Sequence, residues 1–385
     1  NHFPLEGSGS GVYTKNIAQR LIDKGHQVKA VVVDNEINDD YQFPVETIIE
    51  YNFPCFTTHP KSNNQFYKLT RQEMNDYLNK FIRVIKQTSK SFKPDIIHCQ
   101  HLWVGPFAAL QTDVPYIITA HGTDIKGYKK DKRYRQIALK GAAGAEKIIT
   151  ISDQVNQDVK KYYFIEDDQL IKILNGVDDN LFKPLKINRL ELIQKYLPNI
   201  KENPEYLLAF VGKLTDFKGV DLLIKAAEEY EKKFSDIMTL IIGHGELLDD
   251  LKKQVEKLNL KNIYFLGNLP QKELPAFYSS ADLSIVPSRV EPFGLVAVEA
   301  LACGTPVIAS RAGGLPDFIN QKVGRLFKMN DADDLAAKII EALNNNDKEK
   351  KGNNAAEYAL NKFSWARVID EVLDVYNSVL SGEES

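Results

Sequence analysis

The sequence predicts an α/β protein made of two halves, each a parallel sheet with crossover helices. Three observations predict this fold class. Short apolar runs alternate with segments of helical periodicity along most of the chain. Glycine-rich stretches at 7–11 and 212–219 precede predicted helices. The chain has 385 residues, too many for one ordinary core but suitable for two domains.

The first half opens with a predicted helix over 12–24 and a buried strand over 28–33. Residues 34–68 are irregular apart from a short strand near 45–50. The alternation then continues with a helix over 71–91, a strand over 95–98, a helix after Trp103, a strand over 116–119, a helix over 134–143, a strand over 147–151, a helix capped by Ser152 and a strand over 171–174. A doubly wound domain has a central strand before its first glycine-rich loop, and none precedes Gly7. We therefore expect native residues before Asn1.

The second half follows a polar segment over 183–204, which we predict to be a linker. Its predicted strands cover 206–211, 239–242, 263–266, 283–286, 307–309 and 324–327. Helices are predicted over 333–343 and 354–360, and Phe363-Ser-Trp365 opens a last amphipathic helix. The predicted domains are therefore 1–182 with its first strand missing, and 205–363.

Composition excludes several classes of protein. A net charge of −3 argues against a general nucleic-acid binder, and no apolar run approaches the length of a membrane span. Cys55, Cys99 and Cys303 are widely spaced and odd in number, which suggests neither a disulfide framework nor a zinc site. There is no signal peptide, so we expect a reducing, cytoplasmic setting.

The segment with the most candidate functional residues runs from Ser288 to Ser310, and its pattern predicts a loop, a helix and a strand. Glu291 lies in the loop and Glu299 inside the helix that Gly294 opens, so the two carboxylates are too far apart to share a proton. The N–H groups of Phe293, Gly294 and Leu295 lie between them, at a helix N-terminus that favours a phosphate or an oxyanion. This spacing suits the two ends of an extended polar ligand. The alternative is that Glu291 is solvated and Glu299 pairs locally.

This segment, E-P-F-G-L-V-x-x-E-A followed by A-C-G-T-P-V-I-A, resembles glycosyltransferase family 4. The resemblance covers nearly the whole chain, because Gly7–Gly11, His121-Gly-Thr-Asp124, Asn175-Gly-Val-Asp178 and Gly212–Gly219 follow in the family's order. It implies the GT-B fold, in which two Rossmann-like α/β/α domains face each other across a cleft and the C-terminal helix, here 364–385, crosses back to the first domain. It also implies a retaining, nucleotide-sugar-dependent transferase without a cofactor.

The resemblance implies roles for the residues of the second half. Glu299 holds the ribose hydroxyls, Glu291 the hydroxyls of the donor sugar, and Lys213 and Lys218 neutralise the diphosphate in place of a metal ion. The donor also contacts backbone at Gly212, Gly243 and the helix start, and its base lies near Gly267, Asn268 and Leu269. Two positions depart from the family: Lys213 stands where arginine is usual and loses the bidentate fork, and Gly243-His-Gly-Glu246 lacks a proline but is still expected to begin a helix.

In the first half, the N–H groups of Gly9, Ser10 and Gly11 could line an anion or a sugar, although a flexible tip is the plain alternative. His121 follows a predicted strand, where open α/β sheets place ligands, and the resemblance places it against the donor sugar. Asp124 either orients the loop or contacts a hydroxyl. His98 and His101 flank Cys99, and we expect them to be structural rather than metal-binding. Asp34 keeps an NAD-type site open as an alternative.

A basic cluster between 126 and 135 includes Lys129, Lys130 and Arg133. Such a run is usually a solvated face, but here it could receive an anionic acceptor or anionic lipid headgroups at the inner face of a membrane. The predicted function is transfer of a sugar, with UDP favoured as the nucleotide, to a hydroxyl acceptor without a metal. The alternatives are an epimerase or a phosphorylase on the same fold, or a non-catalytic sugar-binding protein.

Overall fold

The computed structural model describes the chain except for residues 37–40, 51, 57–58, 345–347 and 383–385, and except for the side chains at 126, 348–351 and 353. The chain divides into two compact units. The first consists of Asn1–Asn175 together with Ala366–Ser385, and the second of Gly176–Trp365. Both units are α/β with parallel sheets, so the predicted fold class is confirmed.

The first unit alternates helices and short strands. Its elements are α1 (Gly9–Asp23), β1 (Ala30–Asp34), β2 (Val45–Ile49), α2 (Arg71–Phe92), β3 (Ile97–Gln100), α3 (Val104–Ala109), β4 (Tyr116–Ala120), α4 (Thr123–Lys130), α5 (Arg135–Ala143), β5 (Lys147–Thr150), α6 (Asp153–Tyr163) and β6 (Leu170–Lys172). The paired strands of the described residues of this unit are parallel, with Gln100 of β3 beside Thr119 of β4. The ends of β3 and β4 therefore bring the segments after Gln100 and Ala120 together.

The sheet of this unit is in two parts. Strands β1 and β2 form one part, and β3, β4, β5 and β6 form the other in that order. A cavity of about 610 Å³ is lined by residues of both β1 and β3 and of the helices around them. Residues 1–8 contain no strand, as the sequence predicts, although the Asn1 ammonium donates to the Val31 carbonyl at 2.8 Å.

The second unit has one continuous sheet. Its elements are α7 (Arg189–Tyr196), β7 (Tyr206–Val211), α8 (Val220–Lys233), β8 (Ile237–Ile242), α9 (Leu248–Lys257), β9 (Ile263–Gly267), α10 (Leu274–Ser280), β10 (Leu283–Val286), α11 (Leu295–Ala302), β11 (Val307–Ser310), β12 (Gly324–Phe327), α12 (Ala332–Asn344), α13 (Lys348–Phe363) and the first residue of α14 (Trp365–Ser381). The strand order is β12-β11-β10-β7-β8-β9, and all pairs are parallel.

This strand order places a topological switch point between β7 and β10. From β7 the chain winds outward through β8 and β9, and it then returns to the other side of β7 to form β10. Open α/β sheets bind ligands at the carboxyl ends of the two strands that flank such a point. The loop after β7 carries Lys218 and the loop after β10 carries Glu291, so both candidate residues follow these two strands.

The core of the second unit explains why these strands have so few polar residues. All six residues of β8 and all four of β10 are buried, because helices cover both faces of a parallel sheet. Helix α8 packs Leu223, Ile224 and Tyr230 into the same core, and α12 adds Leu335 and Ile339. A strand buried on both faces is a continuous apolar run, which is the pattern visible in the sequence.

Four predictions about local structure are wrong. The segment 183–204 is not only linker, because it contains α7, whose Asn188 cap accepts from the Glu191 N–H at 3.3 Å. The strand predicted over 95–98 lies two residues later. Helix α1 begins at Gly9 instead of after Gly11, and α9 begins at Leu248 instead of within Gly243–Glu246.

Among the described residues, no helix has both the length and the apolar character needed to cross a membrane.

Candidate active site

Lys218 and Glu291 form an ion pair at the switch point of the second unit. Lys218 Nζ lies 2.6 Å from Glu291 Oε2, and Ser288 Oγ donates to the same oxygen at 3.1 Å. Only 9% of the Glu291 side chain and 26% of the Lys218 side chain are exposed, so water screens the pair less than a surface pair. The family resemblance implies separate roles for these two residues, whereas the structure joins them in one ion pair.

Arg289 connects the two loops that carry this pair, which follow β7 and β10. Its guanidinium binds both carboxylate oxygens of Asp221, at 2.8 and 2.6 Å, and donates to the Asp216 carbonyl at 2.8 Å. Its backbone N–H donates to the carbonyl of Phe217, the neighbour of Lys218, at 2.8 Å. A two-pronged contact with a carboxylate fixes direction as well as distance. Arg289 therefore holds the Lys218 loop against the Glu291 loop, a role that the sequence analysis missed.

Arg289→Leu is expected to lower kcat/KM for the donor about tenfold, or about 1.4 kcal/mol, because Lys218 is then free to leave Glu291. Steady-state kinetics over a range of donor concentrations measures this change. Arg325→Leu is the matched control, since Arg325 is equally exposed, at 22% against 21%, and pairs with Glu341 on α12. Equal losses of activity in the two variants would contradict the positioning role of Arg289.

The N-terminus of α11 lies directly after this loop. Gly294 caps the helix with φ of 112°, a conformation that strains any residue with a Cβ, and a Cβ there would lie 2.6 Å from the Leu315 side chain. Leu295 is the first residue of the helix, where an N–H has no partner inside the helix. Phe293 is buried and supports the turn. The free N–H groups and the helix dipole attract a phosphate group.

Glu299 lies inside α11, as the sequence predicts, and is half-buried. Burial raises the pKa of its carboxyl group to about 8, and hydrogen bonds from Tyr278 and Gln271 only partly oppose this shift. The Tyr278 hydroxyl lies 3.4 Å from Oε2. These contacts agree in part with the alternative that Glu299 pairs locally, although both partners, Tyr278 and Gln271, are neutral. A neutral setting leaves the carboxyl group able to exchange these partners for ligand hydroxyls.

The loops after β7, β8 and β9 are joined through their backbones. Gly212 donates to the Ile242 carbonyl at 3.0 Å, and Gly243 donates to the Gly267 carbonyl at 2.7 Å. A Cβ on Gly243 would lie 1.8 Å from the Gly212 oxygen, so only glycine fits there. Three further candidates lie on these loops: the exposed Lys213 and Asn268, and the half-buried Leu269.

The glycine-rich stretch of the first unit forms the first turn of α1. Ser8 caps the helix, and its side chain accepts from the Gly11 N–H at 3.0 Å. The Gly11 N–H is therefore already engaged by Ser8, and contact of Gly11 with the donor stays a prediction. Gly9 and Ser10 are the first two helical residues, whose N–H groups have no partner within the helix. Because these residues form a helical turn, the alternative of a flexible loop tip loses support.

His121 follows β4 and is 8% exposed. Its Nε2 lies 2.8 Å from Oε1 of Gln100, the last residue of β3. The rings of Tyr13 and His101 pack against it at centroid distances of 5.3 and 4.8 Å, and the Tyr13 ring is nearly perpendicular to the imidazole. Burial, with a smaller contribution from His98, lowers the pKa of His121 to about 3, so the ring is neutral at physiological pH.

Asp124 is fully buried, and its carboxylate accepts from the backbone N–H groups of Leu102 and Ile125 at 2.7 and 3.1 Å. Burial raises its pKa to about 6. Of the two roles considered for this residue, orienting the loop agrees with these contacts. Contact with an acceptor hydroxyl does not, because no part of the side chain is exposed.

The basic cluster is only partly open. Arg133 binds Asp131 at 2.6 Å and also donates to the backbone carbonyls of Leu69 and Tyr67. These contacts indicate a structural role for Arg133 and not a role in binding the acceptor substrate. Lys129 and Lys130 are exposed. Lys129 lies 3.6 Å from Asp158, and Lys130 lies over the Tyr67 ring at 3.5 Å. The Lys126 side chain lies outside the described residues.

Two alternatives from the sequence lose support. The Asp34 carboxylate is buried and accepts from Lys61 Nζ at 3.0 and 3.2 Å, so it is already occupied and not set to bind a ribose. In the part of the chain that the structure describes, no group of three or more metal-ligating side chains occurs. His98 instead contacts the Tyr376 and Thr119 hydroxyls, at 2.7 Å each, as a structural residue. The three cysteines are buried, and none of them takes part in a disulfide bond.

The fold and this site define a class of protein. It is an α/β protein with a cation, a helix N-terminus and two carboxyl groups at the switch point of a parallel sheet. Two family profiles match the chain. Glycosyl transferases group 1 matches residues 194–361, and Glycosyltransferase Family 4 matches residues 7–181. An uncharacterized glycosyltransferase of Methanocaldococcus jannaschii is 31% identical over 98% of this chain and 96% of the relative. The chain therefore belongs to the glycosyl transferases group 1 family.

Two further proteins resemble the chain over nearly its full length. A D-inositol 3-phosphate glycosyltransferase of Corynebacterium aurimucosum is 28% identical over 99% of this chain and 94% of the relative. The structure of HepE from Anabaena, solved in complex with UDP, superimposes with a TM-score of 0.76 at 20% identity and covers 98% of each chain. The fold is GT-B, so the predicted family and fold are both confirmed.

Proposed function

We propose that this glycosyltransferase moves a sugar from a nucleoside diphosphate to a hydroxyl acceptor, with retention of anomeric configuration and without a metal ion. The Lys218–Glu291 pair beside the N-terminus of α11 carries the proposal. A cation and free N–H groups on one side can hold a diphosphate, while a carboxylate next to them can hold sugar hydroxyls. Lys213 is a second cation on the same loop as Lys218.

In this proposal, each group acts on a different part of the donor. Lys218, Lys213 and the N–H groups near Leu295 stabilise the negative charge that develops on the leaving diphosphate, which is the largest electrostatic term in such a transfer. Glu291 binds hydroxyls of the sugar and Glu299 binds the ribose, while Gly267, Asn268 and Leu269 flank the base. UDP is the favoured nucleotide, and the UDP complex of HepE supports this choice.

The acceptor in this proposal carries an anionic group. Lys129 and Lys130 are exposed cations on the first unit, and one full-length relative is named for D-inositol 3-phosphate, a phosphorylated hydroxyl compound. Anionic lipid headgroups offer the same chemistry, so contact with the inner face of a membrane is part of the proposal for a cytoplasmic enzyme. Arg133 and Asp124 are left out of this surface because their contacts are internal.

Retention proceeds here without a covalent sugar–enzyme bond. A double-displacement glycosidase places its carboxyl groups about 5–5.5 Å apart on opposite faces of the bond, whereas Glu291 is in a loop and Glu299 is in the second turn of the next helix. An oxygen of the departing phosphate can take the proton of the acceptor hydroxyl on the same face. The acceptor oxygen then bonds to the anomeric carbon as the sugar–phosphate bond breaks.

A thermal-shift screen of UDP, GDP, ADP and free sugars tests the substrate class, because a ligand that binds only the folded protein raises its melting temperature. We expect a shift with one nucleotide and not with free sugar. A shift with free sugar alone would favour a non-catalytic sugar-binding protein. Conversion of a nucleotide sugar without any acceptor would favour an epimerase, and phosphate-dependent cleavage of a glycoside would favour a phosphorylase.

With the nucleotide known, turnover should persist in EDTA, because Lys218 and the helix N-terminus replace the charge of a metal ion. NMR of the product should show the anomeric configuration of the donor. Glu291→Gln should lower the rate by weakening a hydroxyl contact, and mass spectrometry should find no sugar on the protein. Loss of turnover in EDTA that manganese or magnesium restores, or a sugar trapped on Glu291, would contradict the mechanism.

A further inference from the structure

We propose that Gln100 is a positioning residue that fixes the tautomer of His121, so that His121 presents Nδ1 as a hydrogen-bond acceptor to a hydroxyl of the ligand. The proposal rests on the function above and on the contact between His121 and the donor sugar that the family resemblance implies. It adds a residue that carries no assigned role and specifies the kind of group that His121 can receive.

The contact itself sets the direction of the hydrogen bond. The oxygen of a carboxamide only accepts, so the Nε2–H of His121 must donate to Gln100 Oε1, 2.8 Å away. A neutral imidazole has one N–H, and Nδ1 is then unprotonated. Burial favours the neutral ring and lowers the pKa of His121 to about 3.

The surroundings hold both partners in place. Gln100 is 4% exposed and ends β3, while His121 follows β4, and the two strands are paired in register at Gln100 and Thr119. The His101 N–H donates to the Thr119 carbonyl at 2.9 Å, which continues the pairing to the strand ends. The rings of Tyr13 and His101 then limit rotation of the imidazole. A side chain held this way loses little freedom when a ligand binds.

The remaining nitrogen of His121 is available to a ligand. Among the described residues, the contact with Gln100 is the only hydrogen bond found for this ring, and Nδ1 is not among the buried polar atoms that lack a partner. Both nitrogens of the neighbouring His101 are such atoms. An unprotonated nitrogen repels phosphate and carboxylate oxygens and accepts from a hydroxyl. His121 therefore selects a sugar hydroxyl and not an anionic group.

Nitrogen NMR of the full chain labelled at histidine measures the tautomer directly and needs no substrate. The signal that disappears in His121→Gln is assigned to His121. We expect a protonated Nε2 and an unprotonated Nδ1 in the original protein, and a mixture of tautomers in Gln100→Met, which keeps the chain length but removes the acceptor. A proton on Nδ1 of the original protein would overturn the proposal, since Gln100 would then be donating to Nε2.

Kinetics tests whether the tautomer matters to turnover. Gln100→Met should lower kcat at least about tenfold and leave nucleotide affinity unchanged, as expected when a histidine is free to adopt the wrong tautomer. Gln100→Glu keeps an acceptor oxygen and should restore the Nε2–H tautomer. Gln111→Met, at an exposed glutamine after α3, is the control for the substitution itself.

A double variant separates positioning from general support of the fold. In a His121→Ala background, Gln100→Met should cost no further activity, because the ring that it positions is gone. Equal losses in both backgrounds would show that Gln100 acts elsewhere. If the original protein transfers no sugar at all, the proposed function fails, while the NMR result still decides the tautomer.

Discussion

Lys218→Ala should lower kcat/KM by at least about 2 kcal/mol, or roughly 30-fold, because the leaving diphosphate loses its nearest preorganised cation. The loss has two sources. Lys218 no longer neutralises the developing charge, and Glu291 keeps the Ser288 hydroxyl as its side-chain hydrogen-bond partner among the described residues. An unpaired, mostly buried carboxylate next to a phosphate repels it. Steady-state kinetics with the donor varied gives the change.

Two controls show whether the effect belongs to the pair. Lys225→Ala removes an exposed lysine from α8, and it should leave kcat/KM within twofold. Glu291→Gln combined with Lys218→Ala should cost less than the sum of the two single changes, because each single change leaves one charge unpaired. Strict additivity would indicate that the two residues act on the donor independently, despite the 2.6 Å contact between them.

His121→Ala should lower kcat by more than tenfold and leave the affinity for the free nucleotide unchanged. In the proposal, His121 contacts the donor sugar, whereas Lys218 and Glu299 hold the nucleotide. Calorimetry with UDP, or with the nucleotide found in the screen, measures the affinity, and single-turnover kinetics measures the chemical step.

His98→Ala is the comparison for this variant, because His98 is a half-buried histidine of the adjacent strand that hydrogen-bonds to the hydroxyls of Tyr376 and Thr119. We expect it to lower the melting temperature more than the rate. A collapse of nucleotide affinity in His121→Ala would show that His121 has been assigned to the wrong end of the donor.

The second unit was largely predictable because its strands are buried on both faces. The predicted bounds of β7, β10 and β12 agree with the structure to the residue. Strands β7 and β10 are mainly apolar runs that end at Gly212 and Pro287. Glu291 and Glu299 were also placed correctly on loop and helix. Patterns of this kind depend on neighbours along the chain, which a sequence displays directly.

The missed features depend on residues that are distant in the sequence. Arg289 and Asp221 are 68 positions apart, and Gln100 and His121 are 21 apart, so no local pattern links them. Arg133 looked like part of an open basic surface because its carbonyl partners near Leu69 carry no signal in the sequence. Helix α7 was hidden by polar residues, since Ile193 is the only one of its side chains that is buried.

In the proposed function Glu299 binds the ribose, and its high pKa then couples nucleotide binding to the release of a proton. With a pKa of about 8, the carboxyl group is mostly protonated at pH 7 in the free protein. Ribose hydroxyls that donate to this group favour its ionised form, so the proton leaves as the nucleotide arrives. Below pH 8, part of the binding free energy is spent on this deprotonation, and the cost disappears gradually as the pH rises above 8. The donor site therefore gains affinity as the solution becomes more alkaline, through a residue that takes no part in the transfer itself.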